Sequence, residues 1–411
     1  MKHYLPLAKT ALHLNQNQQV KGAYPTALQA ILGGDKFHRA ATQIKSWPGY
    51  HITPLVNLND MAKNLNVASI AYKDEGGRFG LGSFKALGGA YAVSQLLIQA
   101  IQAQTGTTDV TALDLTSGKY ADITRTLTVT CATDGNHGRS VAWGAQRFGC
   151  QCVIYIHATV SDGRKHAIEQ FGATVVRTPG NYDNAVQQAA IDAVQHGRHV
   201  VSDTSYEGYM DVPKDVMQGY AIMADEALTQ FKLAHAALPT HVFLQGGVGG
   251  LAAAVVAQLW ETLGADAPTF IVVEPDKAAC LYDSAVAGVP VAVKGDLDTV
   301  MAGLACGEVS LLAWAILKPS VHAFMQIDDE SALNVVRLLA HGDANGQAKI
   351  VAGESAVAGL AGALASSNHD GLRADLGLDQ HSHILVFGSE GATDPELYER
   401  IVGKTAEAVL A

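Results

Sequence analysis

Four short segments carry residue types whose spacing suits catalysis or ligand binding. In Gly80-Leu81-Gly82-Ser83-Phe84-Lys85-Ala86-Leu87-Gly88-Gly89, Ser83 is of a type that caps helices, which puts Lys85 in the first turn of a helix rich in small residues. A helix N-terminus disfavours a cation, and Phe84 and Leu87 would desolvate it. Both effects lower an amine's pKa, as a nucleophile that condenses with a carbonyl requires. Taken alone, a surface lysine at a helix start satisfies the same pattern. In Thr133-Asp134-Gly135-Asn136-His137-Gly138-Arg139, a loop directly after a strand offers free N–H groups to an anion. Asn136 can donate to a ring hydroxyl or oxyanion and Asp134 can act as acid or base. Either could instead cap the next helix.

Gln245-Gly246-Gly247-Val248-Gly249-Gly250 has four glycines in five positions, an N–H-lined nest suited to phosphate. It lacks the Gly-Lys-Ser/Thr ending of a Walker loop and only loosely resembles a dinucleotide fingerprint. Phe387-Gly388-Ser389-Glu390-Gly391-Ala392-Thr393-Asp394 supplies a hydroxyl that could face a heterocycle nitrogen, or a cap for the last helix. Together, a lysine at an apolar helix start, an Asn/Asp loop, a glycine nest and a late hydroxyl describe one chemistry. They would hold an aldehyde cofactor by imine, ring oxygen, phosphate and ring nitrogen.

Positioning these groups calls for alternating elements. From about residue 127, strands are expected at 126–131, 152–156, 173–176 and 199–201, with helices at 136–148, 163–171 and 183–196 between them. The alternation resumes with strands at 241–244, 270–273, 321–326 and 383–387 and a helix at 251–263. Such spacing makes right-handed βαβ units and parallel sheets. A long helix over 211–233, with Pro213 near its start, marks the domain change, and 351–367 reads as a tightly packed helix of small residues.

At about 150 residues per domain, 411 residues suggest two domains. With 48% apolar and 16% charged residues, the chain has material for a large core and is not disordered. Its net charge of −11 argues against a nucleic-acid or anionic-membrane partner. Apolar runs break well before about 18 residues, so no membrane span is expected. No secretory signal is visible, and a cytoplasmic location is expected. Five cysteines form no disulfide framework and none lies in a C-x-x-C pair. Reduced thiols are expected, with Cys280 and Cys306 the pair to check for a bridge. No metal site is expected.

On these motifs the chain resembles the fold-type II pyridoxal-phosphate enzymes, the tryptophan synthase β/threonine dehydratase group, and more closely their diaminopropionate ammonia-lyase branch. The resemblance runs from about Tyr72 to Tyr398 and rests also on Tyr206-Glu207-Gly208-Tyr209, Met217-Gln218-Gly219-Tyr220 and Met301-Ala302-Gly303-Leu304-Ala305-Cys306-Gly307-Glu308. Relatives that dehydrate serine or threonine usually have Ser-Ser/Thr-Gly-Asn-His where this chain has Thr133–His137, so the acid at 134 points to the diaminopropionate branch. The resemblance implies an α/β fold of two domains, each with a mainly parallel twisted sheet flanked by helices, and the cofactor in the cleft between them. The large domain would comprise 1–89 and 211–411, the small one 90–210.

It further implies pyridoxal 5'-phosphate held by Lys85 as Schiff-base lysine, by Asn136 at the ring oxygen and by Gly246, Gly247, Val248, Gly249 and Gly250 at the phosphate. The family's last motif usually reads Ser-Thr-Glu-Gly-Asp-Thr-Asp. Here it reads Gly-Ser-Glu-Gly-Ala-Thr-Asp, which makes Ser389 the candidate partner of the pyridine nitrogen. The implied reaction is α,β-elimination of D- or L-2,3-diaminopropionate to pyruvate and two ammonia, in a homodimer. Lys85 would take the Cα proton of the L-isomer and Asp134 that of the D-isomer. Asp203, a second carboxylate, either holds the β-ammonium or is a turn residue that caps the next segment. A serine or threonine dehydratase of the same fold, and a non-catalytic phosphate- or nucleotide-binding protein, are the alternatives.

Overall fold

The computed structural model describes residues 10–19, 22–133, 135–180, 182–342 and 349–411. Two compact units emerge, one of residues 1–34, 52–83 and 221–411, the other of 35–51 and 84–220. The division drawn from sequence, at 89/90 and 210/211, differs from these boundaries. Residues 84–89 and 211–220 belong with the smaller sheet, so Lys85 does too. The helix Asp211–His235 does run through a change of unit, at 220/221.

Among the described residues eleven strands form: β1 (Thr10–Leu14), β2 (Leu55–Asn57), β3 (Ser69–Asp74), β4 (Thr128–Ala132), β5 (Gln151–Ile156), β6 (Thr174–Arg177), β7 (His199–Val200), β8 (His241–Gln245), β9 (Thr269–Pro275), β10 (Ala323–Ile327) and β11 (His383–Gly388). In the first unit seven strands lie in the order β1-β10-β9-β8-β11-β3-β2. The inner five are parallel, whereas β1 and β2 close the edges antiparallel. β8 is buried at every residue, as a parallel strand covered on both faces must be. In the second unit β6-β5-β4-β7 form a wholly parallel sheet.

Small residues set the packing of the second unit. A Cβ on Gly144 would lie 2.7 Å from the Cα of Ala90, so only glycine lets the helix Asn136–Phe148 approach the helix Lys85–Thr105 this closely. In the first unit the helix Ala358–Asn368 is buried at every residue but the last. The helix expected over 351–367 therefore begins late. Residues 351–357 run as a turn because Glu390 engages their backbone, its Oε1 accepting from Ser355 N at 3.2 Å and its carbonyl from Gly353 N at 3.1 Å. Ser83 is not a helix cap either: it bridges to Glu390, and the helix starts at Lys85 with Phe84 in the capping position. No helix among the described residues is long and apolar enough to cross a membrane. Cys280 and Cys306, like the other three cysteines, are free thiols.

Candidate active site

In the second unit, Lys85 opens its helix with no acidic residue in the first turn. Its ammonium lies 5.2 Å from the centre of the Phe84 ring and 5.6 Å from that of Tyr220. The two rings pack at 4.6 Å, and Tyr220 fits because position 88 is glycine, whose Cβ would stand 2.4 Å from the ring. Lys85 Nζ donates to Asp203 Oδ2, and both side chains are largely buried. The tie spans 118 positions, closed because β7 ends at Val200 and returns the chain to the helix start.

His137 completes the group. Its Nε2 lies 2.7 Å from Val201 O, and since a carbonyl only accepts, that nitrogen carries the proton. Nδ1 then faces Asp203 Oδ2 at 3.9 Å. Burial alone would raise the Asp203 carboxyl, but the Lys85 ammonium, and after it His137, hold it well below the usual carboxylate range. Asp203 is therefore an anion throughout the neutral range. By reciprocity the same contact favours the ammonium form of Lys85, which offsets the desolvation expected from its apolar neighbours.

Thr133 organises the described part of the loop before Asn136. Thr133 Oγ1 accepts from Gly135 N at 3.0 Å and from Gly138 N at 3.2 Å, and among the described residues helix Asn136–Phe148 has no side-chain cap. Asn136 is the first residue of that helix. Asp134 lies outside the described residues.

The first unit carries the other expected residues, at the carboxyl ends of adjacent strands β8 and β11. Gly247 (φ 64°) and Gly249 (φ 95°) adopt left-handed backbone, and the helix Gly250–Leu263 follows at once. The loop thus runs directly into the N–H groups of a helix start. Gln245 Nε2 ties it to β11 by donating to Phe387 O at 2.7 Å. Cys280 Sγ donates to Gly247 O at 3.4 Å, and Cys306 Sγ is 3.8 Å from a Cβ built on Gly247. Ser389 is buried just past β11.

Glu274, at the end of β9, lies beneath this loop. A Cβ on Gly246 would stand 2.4 Å from its Cγ. The carboxylate accepts from Leu281 N at 3.2 Å and Tyr282 N at 2.7 Å, so it also caps the helix Cys280–Ala287. Burial pushes this carboxyl up to about 8, the two N–H donors offsetting only part of the shift. Between its ordinary value of 4.5 and about 8 the unfolded chain releases a proton that the folded chain keeps, so stability falls as pH rises through that window. At about 1.36 kcal/mol per pH unit the loss is on the order of 4–5 kcal/mol. Thermal melts of Glu274→Gln should flatten that slope. An unchanged slope would show that another group carries it.

Lys85 and Asp203 are thus brought together in the second unit, where the helix begun by Asn136 also lies; Gly246–Gly250 and Ser389 lie together in the first. Sequence reading missed His137, Tyr220 and Glu274 as members of these groups. His137 and Tyr220 sit inside stretches already singled out, but only the return of the chain at Val201–Asp203 and the closeness of Gly88 give them roles. Among the described residues, no group of three or more His, Cys, Asp and Glu side chains is placed to hold a metal ion.

A family model for pyridoxal-phosphate dependent enzymes matches residues 47–377. The chain is 41% identical over 365 residues to the diaminopropionate ammonia-lyase of Escherichia coli (strain K12), covering 88% of this chain and 89% of that protein. It is also similar to the crystal structure of the E. coli diaminopropionate ammonia lyase in complex with D-serine, with a TM-score of 0.87 at 36% identity over 98% of each chain. The processed form of threonine deaminase isoform 2 from Solanum lycopersicum matches 98% of this chain and 94% of its own at 19% identity, with a TM-score of 0.69, and shares the fold.

Proposed function

The chain belongs to the pyridoxal-phosphate dependent enzymes, and among them to the diaminopropionate ammonia-lyases, and on that premise we propose that it converts 2,3-diaminopropionate and water to pyruvate and two ammonia. Its cofactor is pyridoxal phosphate, which when bound supplies an electron sink for the charge left at Cα. The residues fit that group. In the turn Gly246–Gly250 the N–H of Gly246 donates to Val273 O and that of Gly249 to Gly246 O, which leaves those of Gly247, Val248 and Gly250 for a phosphate, and Lys85 is a partly exposed amine with a fixed direction. In this reading Lys85 holds the aldehyde covalently and Asn136 the ring oxygen, while Ser389 is the partner that the sequence motif offers for the pyridine nitrogen.

One observation carries the choice of substrate: a buried anion, Asp203, beside the reactive amine. Once Lys85 is engaged with the aldehyde, Asp203 is left to pair with another cation. Diaminopropionate brings a second ammonium, whereas serine brings a neutral hydroxyl. Held there as –NH3⁺, the β-nitrogen is already protonated and can leave as ammonia. Lys85 takes the Cα proton of the L-isomer, and Asp134 that of the D-isomer.

Two further parts of the proposal have their own support. Free thiols at all five cysteines suit the cytoplasm. Val286, Val289 and Val291 are exposed in the first unit, apolar surface that a homodimer would cover.

A pyruvate assay on D- and L-diaminopropionate beside D- and L-serine tests the substrate. Diaminopropionate should be turned over at least about tenfold faster, as the loss of one charge-assisted contact implies. Faster release from serine would make the protein a dehydratase instead. In Asp134→Asn the D-isomer should lose more rate than the L-isomer.

A further inference from the structure

Gly388, at the carboxyl end of β11, has its side-chain space filled by another residue. A Cβ built on Gly388 would lie 2.1 Å from the hydroxyl oxygen of Tyr72 and 2.1 Å from its Cζ. Tyr72 pairs in register with Val386, so the phenol reaches two residues along the sheet toward the carboxyl edge and ends over Gly388. The family's last motif usually has serine at this position. Here a tyrosine from the neighbouring strand puts a hydroxyl in nearly the same place.

That hydroxyl is fully buried and has no hydrogen-bond partner among the described residues. A buried polar group left unmet is costly and uncommon, which points to a partner that binds. The two neighbouring carboxylates accept from other donors. Glu390 takes Ser355 N and Thr393 Oγ1 at 3.2 and 3.1 Å, and Asp74 Oδ1 takes Gly76 N at 2.9 Å. Burial, and then the Asp74 and Glu390 carboxylates, push the phenol well above its usual range, so it stays a neutral donor. Ser389 follows Gly388 and falls on the other side of the strand's alternation.

We propose that Tyr72 donates its hydroxyl proton to the pyridine nitrogen of the bound cofactor, in place of Ser389. This rests on the function proposed above, in which aldehyde, ring oxygen and phosphate go to Lys85, Asn136 and the glycine loop. The pyridine nitrogen is the uncharged acceptor that remains, and a neutral donor leaves it unprotonated.

The test uses full-length protein loaded with pyridoxal phosphate labelled with ¹⁵N in the ring. In Tyr72→Phe the nitrogen resonance should move from its hydrogen-bonded position toward that of unbonded pyridine. Cofactor affinity should fall about tenfold, the usual worth of one hydrogen bond. Ser389→Ala should leave the resonance in place, and Tyr72→Val combined with Gly388→Ser should restore it. An unmoved resonance in Tyr72→Phe, or a moved one in Ser389→Ala, overturns the assignment while the function stands. A wild-type protein that takes up no cofactor overturns both.

Discussion

Lys85→Ala protein should be colourless and inert. The absorbance near about 410–420 nm that marks a lysine-bound pyridoxal aldehyde should be absent, and pyruvate release should fall at least about 10⁴-fold, the upper range for losing a general base alone. The basis is local. Lys85 starts its helix beside the packed Phe84 and Tyr220 rings and is aimed by Asp203, so the amine has one direction and an anionic neighbour. No flexible surface lysine would be held this way. Retained absorbance together with retained turnover would show that another amine binds the aldehyde.

Asp203→Asn should separate substrates that Lys85→Ala treats alike. Removing one member of a buried charge pair costs roughly 3–5 kcal/mol. At about 1.4 kcal/mol per tenfold, kcat/KM for diaminopropionate should therefore fall between roughly 100-fold and 4,000-fold. Serine has no second ammonium to lose its partner, so its residual turnover should fall much less. The cofactor band should survive, because the amide no longer favours the charged form of Lys85 and leaves the amine free to condense. Steady-state kinetics on both substrates decide the matter. Equal losses would mean that Asp203 only orients Lys85 and does not read the β-amine.

Much of this molecule is legible in its residues, for reasons that differ along the chain. The helix Asn136–Phe148 was expected within its observed bounds because a glycine-rich turn opens it and Gly149 closes it in a left-handed conformation. The strands β8 to β11 announce themselves as apolar runs followed by turns. The outer strands β1 and β2 do not, since they are only five and three residues long and half-buried. Ser83 misled because a helix-capping type sits two residues before the helix but is taken up in a bridge to Glu390.

The site shows the same split. Lys85 and the glycine nest are visible as local patterns, each tied to a helix start. The pairing of Lys85 with Asp203, the turn of His137 toward the same carboxylate, and Glu274 under Gly246 depend on chain segments that meet only after folding. Tyr72 over Gly388 is of the same kind: one position looks like a missing hydroxyl until the neighbouring strand is laid beside it.

The most direct measurement is borohydride reduction of the cofactor-loaded protein, followed by digestion and peptide mapping. The pyridoxyl group should appear on the peptide containing Lys85 and nowhere else. A group fixed to a different lysine, or no fixed group at all, would contradict the central claim that this amine carries the aldehyde.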